Sequence, residues 1–197
     1  MILLGSSSKS RAKIFTENKI EFKTCSPDIN EKAIGHQFRT TPDASNLTLA
    51  VANAKADAIL ASHPPAALND FELLVTCDQV VCYNGNVREK PESHDQCREY
   101  LSSYSSSPAE THSAVVVVNL KSGKRVQGVD VARQYFKHIP DHIVDQLLTK
   151  GDIMYCCGGF MIDDELLFPY LDKRIGDADS IIGMPMRLFN ELRKSVL

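Results

Sequence analysis

The chain has 197 residues, 43% hydrophobic and 24% charged, with a formal net charge of −3. A chain of that size suits one domain, residues 1–197, with or without two lobes. The acid excess removes any bulk electrostatic case for nucleic acid or a membrane surface as partner, and no apolar run approaches the roughly 20 residues of a spanning helix.

Met1 to Leu4 is a short apolar run that reads as a buried strand. Serines follow too soon for it to be a signal peptide. Gly5 breaks the run, then come Ser6, Ser7 and Ser8, and Lys9 and Arg11 head a helix carrying Ala12, Ile14 and Phe15. Strand, glycine-serine turn and helix start make a place for an anion, because free N–H groups and the positive dipole end face the turn. Arg11 can fork onto two phosphate oxygens. The alternative is an ordinary Ser-capped helix, although cations prefer the other end of a helix, so two here need a reason. Phe22 to Cys25 reads as a second strand, followed by a polar loop with Asp28 and Glu31. Gly35 to Ser45 reads as a turn-rich surface excursion. Leu47 to Ser62 has the best helical period, with Leu47, Val51, Ala54 and Ala58 on one face and Lys55 within it; His63-Pro64-Pro65 stops it.

Phe71 to Cys77 is an apolar strand that runs into Asp78-Gln79, and Val80 to Tyr83 continues extended. Asn84-Gly85 is a hairpin signal, since a type I′ turn wants positive φ at both central positions. Lys90-Pro91 lies beyond the returning strand. Ser93 and Gln96 form a capping box for a helix whose apolar face is Cys97, Leu101 and Tyr104. Val115 to Val118 is a buried strand, Lys121 to Lys124 a turn, and Val126 to Phe136 another extended stretch. Pro140 to Lys150 reads as a helix with Ile143, Leu147 and Leu148 inward and Gly151 as its stop. Gly158-Gly159 marks a close backbone approach. Asp163, Asp164 and Glu165 follow, and Met184-Pro185 opens a last helix with Leu188, Leu192 and Val196 in register. Strands alternate with helices, yet two pairs signal antiparallel neighbours, so the expected fold is α/β with a mixed sheet and flanking helices. The six cysteines show no CxxC pair or Cys/His zinc pattern and read as reduced thiols of an intracellular, cytoplasmic protein.

Asp78 stands where the apolar strand is expected to end, the usual edge of a cleft in a sheet protein; a turn or capping aspartate is the alternative. Taken singly, Lys55 and Lys90 read as solvated lysines, and His94 and His112 as surface or helix-start residues rather than ligands. Together, a Ser/Lys/Arg helix start, two lysines and several carboxylates make the parts of a triphosphate site. The cations neutralise phosphate, and Asp78, Asp28 and Glu31 are hard oxygen ligands for Mg²⁺. A carboxylate beside the metal can also activate water.

Gly5-Ser6-Ser7-Ser8-Lys9-Ser10-Arg11 resembles the N-terminal signature of the Maf (septum-formation) family, Ser-x-Ser followed three residues later by Arg. In the family's order, Asn53-Ala54-Lys55-Ala56 resembles its mid-chain lysine segment, Thr76-Cys77-Asp78-Gln79-Val80 its central acidic motif, and Glu89-Lys90-Pro91 its Gly-Lys-Pro segment. Gly158-Gly159-Phe160 and Ile182-Gly183-Met184-Pro185 resemble its two C-terminal motifs. The resemblance implies an elongated sheet with two lobes around a central cleft. It also implies a nucleoside triphosphate pyrophosphatase that cleaves between the α- and β-phosphates with a divalent metal, Mg²⁺ or Mn²⁺, as a house-cleaning enzyme and often a homodimer. Carried over by motif, Asp78 is the catalytic carboxylate, Ser8, Arg11, Lys55 and Lys90 bind phosphate, and Glu31 joins Asp78 at the metal.

Three positions separate the family's branches: Arg, Thr and Gln on dTTP and UTP, and Trp, Gln and Glu on 7-methyl-GTP. Here they are Ser10, Gln79 and Asp163, with Asp164 as the alternative to Asp163. Gln79 agrees with the second branch, Asp163 is a shortened version of its Glu, and Ser10 fits neither. A carboxylate can accept from the guanine N1–H and 2-amino edge. Lys9 replaces the usual proline, Glu89 the usual glycine, and Tyr155-Cys156-Cys157 precedes the double glycine. The expected substrate is 7-methyl-GTP or another modified nucleotide. The alternatives are a dTTP/UTP pyrophosphatase, a phosphomonoesterase and a nucleotide-binding regulator of division that hydrolyses nothing.

Overall fold

The computed structural model describes residues 1–197. Seven strands form one mixed sheet: β1 (Ile2–Gly5), β2 (Phe22–Thr24), β3 (Leu73–Tyr83), β4 (Asn86–Arg88), β5 (Ala109–Asn119), β6 (Arg125–Phe136) and β7 (Leu171–Ile175), in the order β2-β1-β3-β5-β6-β7, with β4 also on β3. β1 lies parallel to β2 and β3, and every other pairing is antiparallel. The parallel pairs need crossovers. These are α1 (Lys9–Glu17), between β1 and β2, and a long link to β3 that carries α2 (Gln37–Thr40), α3 (Ala44–Ser62) and α4 (Pro65–Leu68).

β3, β5 and β6 form the spine of the sheet, with an unbroken register from Leu73↔Asn119 to Cys82↔Glu110. Side chains of β3 alternate between faces. Leu73, Val75 and Cys77 pack with Phe15 of α1 and with Phe189 of α8 (Met186–Val196). Leu74 packs with Ala52, Ala56 and Ile59 of α3 on the other face. Farther along, a separate core holds Tyr83, Tyr104, Phe136 and Phe160 in ring contacts, under α5 (His94–Ser103) and α6 (Asp141–Lys150).

The outer edge of β3 explains the cleft. β1 covers it from Leu73 to Thr76, and β4 covers it from Val81 to Tyr83. Cys77, Asp78, Gln79 and Val80 have no strand beside them on that side. One lobe gathers around β1, α1, α3 and α8, the other around β4, α5 and α6, and the bare stretch of β3 lies between them.

The sequence reading placed Asp78 at a strand end. In the structure it lies in the middle of β3, and what ends there is the neighbouring strand, not its own. α3 starts at Ala44, three residues before the expected Leu47, because the Asp43 carboxylate caps it by accepting from Asn46 N at 3.0 Å. Its buried row is Leu47, Val51, Lys55 and Ile59, whereas Ala54 and Ala58 are only half-buried. The expectation kept a lysine out of the buried row, but this one has carboxylate partners. The stretch expected to be a surface excursion, Gly35 to Ser45, contains α2 and the first two residues of α3. β7 and α7 (Ala178–Ile182) were not anticipated. β7 is a mostly exposed edge strand of sequence LDKRI with no apolar alternation, and α7 is barely more than one turn. The Asn84-Gly85 hairpin forms with φ of 49° and 79°.

Candidate active site

Asp78 and Gln79 are adjacent, so they point to opposite faces of β3. Asp78 turns toward α3. Lys55 Nζ donates to Asp78 Oδ1 at 2.7 Å and to Cys77 O at 3.5 Å, and lies 3.0 Å from Glu31 Oε1. Asp78 and Lys55 are 7% and 6% exposed, so this ion pair is desolvated, while Glu31 reaches it from the open side. Burial pushes the Asp78 carboxyl above its ordinary range, against the pull of Lys55 and then of Arg11. Removing Lys55 would leave the buried Asp78 carboxylate without its cation, whereas Lys55 without Asp78 keeps a second carboxylate partner in Glu31.

Arg11 closes the bare edge of β3. Its Nη1 donates to Cys77 O at 3.0 Å and to Ser6 Oγ at 3.3 Å, and its Nε donates to Gly183 O at 2.9 Å. That fixes the guanidinium plane and leaves Nη2 without a protein acceptor, which accounts for a cation in the first turn of α1. Ser8 is the N-cap, its Oγ accepting from Arg11 N at 3.4 Å, so its hydroxyl proton stays available. The N–H groups of Lys9 and Ser10 are the unpaired ones of a helix start. Ser10 is half-buried and its side chain makes no hydrogen bond within the protein.

Gln79 turns the other way. Its Nε2 donates to Ser113 Oγ at 2.8 Å and to Ser180 O and Ile181 O at 2.8 and 3.3 Å, capping carbonyls at the end of α7. Donating to carbonyls settles the amide orientation, so Oε1 is the free end. A Cβ on Gly183 would sit 3.2 Å from that Oε1 and 3.8 Å from Arg11 Nε, and Gly183 has a φ of 123°. Gly183 is thus a close-approach glycine between the two groups. Sequence reasoning placed it inside a motif without a role, and its signal was a glycine after an apolar pair.

Lys90 is exposed, on a segment anchored by Gly158 N donating to Glu89 O at 3.0 Å. The two acids after Phe160 separate cleanly. Asp164 is buried, bonded to Lys150 Nζ at 2.5 Å and to Leu166 N at 2.9 Å. Asp163 is open and faces Lys13 of α1 at 3.8 Å. Asp28 is exposed and pairs with no cation. The structure therefore brings Asp78, Lys55, Glu31 and Arg11 to one place, with Ser8 at the head of α1 beside Arg11 and Gln79 on the far side of β3.

The donor set suits a divalent metal. Asp78 and Glu31 each turn a carboxylate oxygen to the same cation, Lys55 Nζ. Two hard oxygen donors already converging on a positive charge suit Mg²⁺, which is commonly held by one or two carboxylates together with substrate phosphates. No group of three or more His, Cys, Asp or Glu forms a complete protein cage.

Residues 1–196 match the family model described as Maf-like protein, and the chain belongs to the Maf family. It is 41% identical to a 7-methyl-GTP pyrophosphatase of Dictyostelium discoideum, over 99% of this chain and 96% of that one. It is 29% identical to a dTTP/UTP pyrophosphatase of Chlamydia felis, over 97% and 91%. It is also 29% identical to a 7-methyl-GTP pyrophosphatase of Cupriavidus pinatubonensis, over 98% and 92%.

Proposed function

We propose that this chain is a nucleoside triphosphate pyrophosphatase that hydrolyses the α–β phosphate bond, with 7-methyl-GTP or a similarly modified nucleotide as substrate. The observation that carries the reading is the desolvated Asp78–Lys55 pair, joined by Glu31, opening on Arg11 at the uncovered edge of β3. Asp78 accepts the proton of the attacking water; burial holds its pKa up and so makes it the better base. Arg11 Nη2, the Ser8 hydroxyl, Lys55 and Lys90 take the phosphate charge that builds on the leaving pyrophosphate. Asp78 and Glu31 would hold Mg²⁺ or Mn²⁺, which supplies charge neutralisation and activation of water. Substrate choice is assigned to Ser10, Gln79 and Asp163. Gln79 Oε1 and the Asp163 carboxylate both accept hydrogen bonds, which suits the guanine edge and its two adjacent donors. The 41% relative named for 7-methyl-GTP favours the same choice over dTTP or UTP.

We further take the enzyme to be a single-domain homodimer of the cytoplasm acting on free nucleotides, with no nucleic acid or membrane partner. All six cysteines are free, and no helix is long and apolar enough to cross a membrane. Sedimentation would test the dimer.

Purified protein with Mg²⁺ is to be assayed against 7-methyl-GTP, GTP, dTTP and UTP, with pyrophosphate and orthophosphate read separately. Pyrophosphate is expected, fastest from 7-methyl-GTP. Asp78→Asn should lower its release by about 10²–10⁴-fold with the fold intact. Orthophosphate as first product would make the protein a phosphomonoesterase. Tight triphosphate binding with no product would make it a regulator.

A further inference from the structure

Arg39, on α2, is a guanidinium whose bonds join two separate strips of the candidate site, the Glu31 loop and the Glu89–Lys90 segment. Its Nε and Nη2 fork onto both oxygens of Glu89, at 2.9 and 2.8 Å. Its Nη1 donates to Ile34 O at 2.5 Å and its Nη2 to Glu31 O at 3.3 Å. The Arg39 side chain is 18% exposed and that of Glu89 40%, so the guanidinium is mostly enclosed while the carboxylate stays partly open to water. Glu89 precedes Lys90, and Glu31 reaches Lys55. One planar group therefore ties the phosphate-binding lysine's segment to the loop that carries the second carboxylate. Lys32 and Glu92 make a second, exposed tie between the same two strips at 2.5 Å.

Glu89 makes the bridge necessary. It stands where the resembled motif has glycine, so a carboxylate lies one residue from a cation meant for triphosphate. Unpaired, it would compete with phosphate for Lys90 and repel the substrate. Paired bidentately, its charge is cancelled and its backbone held, and Lys90 remains without an anionic partner. Lysine cannot reproduce this, because it lacks the planar fork.

We propose that Arg39 is a positioning residue that neutralises Glu89 and holds the Lys90 segment and the Glu31 loop in register across the cleft. The inference rests on the pyrophosphatase reading above. It makes Arg39 act through Lys90 and Glu31, without touching the reacting atoms.

The test compares wild type with Arg39→Lys, Arg39→Glu and the reversed pair Arg39→Glu/Glu89→Arg, each assayed for kcat, KM for the triphosphate and half-saturating Mg²⁺. Arg39→Lys keeps the charge and the stem, so it should fold; its KM and Mg²⁺ requirement should each rise about tenfold while kcat changes little. Arg39→Glu should be worse on both, and the reversed pair should recover most of the loss. A bridge serving only the fold would shift the melting temperature and leave KM in place. KM and Mg²⁺ dependence unchanged in Arg39→Lys, or a reversed pair no better than Arg39→Glu, overturns the proposal. If wild type itself releases no pyrophosphate, the pyrophosphatase reading falls, and calorimetric binding of the same triphosphates by the same variants still decides on the clamp.

Discussion

Lys55 is a buried lysine on α3, its ammonium held 2.7 Å from the Asp78 carboxylate. A lysine on a helix is most simply solvated, and carboxylate partners far off in the chain, Asp78 and Glu31, make its burial tolerable. No local pattern announces such a partner, which is why the inward row of α3 was misread at Ala54 and Ala58. Asp78, by contrast, was legible as an acid set in an apolar run. Their coupling gives a signed prediction. In the metal-free protein the Asp78 carboxyl should titrate above the usual aspartate range. Lys55→Met should move it further up, because the opposing pull of the ammonium is gone while the desolvation stays. Carbon NMR of the side-chain carboxyl reads this directly. The linkage follows the same sign. The folded value is raised, so the stability contributed by protonated Asp78 is fully present below the unfolded value and is lost as pH rises through the folded one. Lys55→Met should therefore lose more stability near neutral pH than in acid, measured as urea midpoints. An equal loss at both would contradict the pairing. Gln79→Glu is a second residue-scale case. It would put carboxylate oxygens against Ser180 O and Ile181 O in place of an amide donor, and should lower both stability and selectivity among triphosphates.

Among the elements, the double glycine of Gly158-Gly159 was legible as a close approach, and the structure supplies the partners. Gly158 has a φ of 72°, and a Cβ there would lie 2.7 Å from Val81 Cγ2 and 2.8 Å from Tyr104 Oη. The Tyr104 hydroxyl donates to Gly158 O at 2.8 Å, and Gly158 N anchors the Lys90 segment through Glu89 O. Gly158→Ala combines left-handed strain with overpacking, about 1–3 kcal/mol each, so about 3 kcal/mol of destabilisation is expected in denaturant titration. KM for the triphosphate should rise alongside, since the anchor of Lys90 moves. The hairpin at Asn84-Gly85, the capped start of α5 and the stop of α6 at Gly151 were all readable, because each depends on a backbone conformation or cap that only a few residue types supply. α7 and β7 were not, because one is too short to show a period and the other takes its place from β6 and not from its own side chains.

For the molecule as a whole, the question is whether two lobes make one cooperative unit. Their cores are separate clusters, one around Phe15 and Phe189 and another around Tyr104 and Phe136, yet β3 and β5 run through both without a break. Opening either lobe would strip partners from strands that the other needs, so the domain assignment of residues 1–197 predicts a single transition. The chain offers a direct probe. It has no tryptophan, and its six tyrosines all fall between residues 83 and 170, with Tyr83 and Tyr104 inside the aromatic core and Tyr100 and Tyr170 against it. Tyrosine fluorescence therefore reports the lobe of α5 and α6, whereas far-ultraviolet circular dichroism reports helices in both. In urea the two signals should trace one superimposable curve with one midpoint. A fluorescence transition that precedes the circular dichroism transition would mean that the aromatic lobe opens alone and that the shared strands do not couple the halves. That outcome would bear on the proposed chemistry as well, because the Lys90 segment is anchored in the aromatic lobe by Gly158 while Arg11, Lys55 and Glu31 belong to the other, and the proposal needs both lobes to serve one triphosphate.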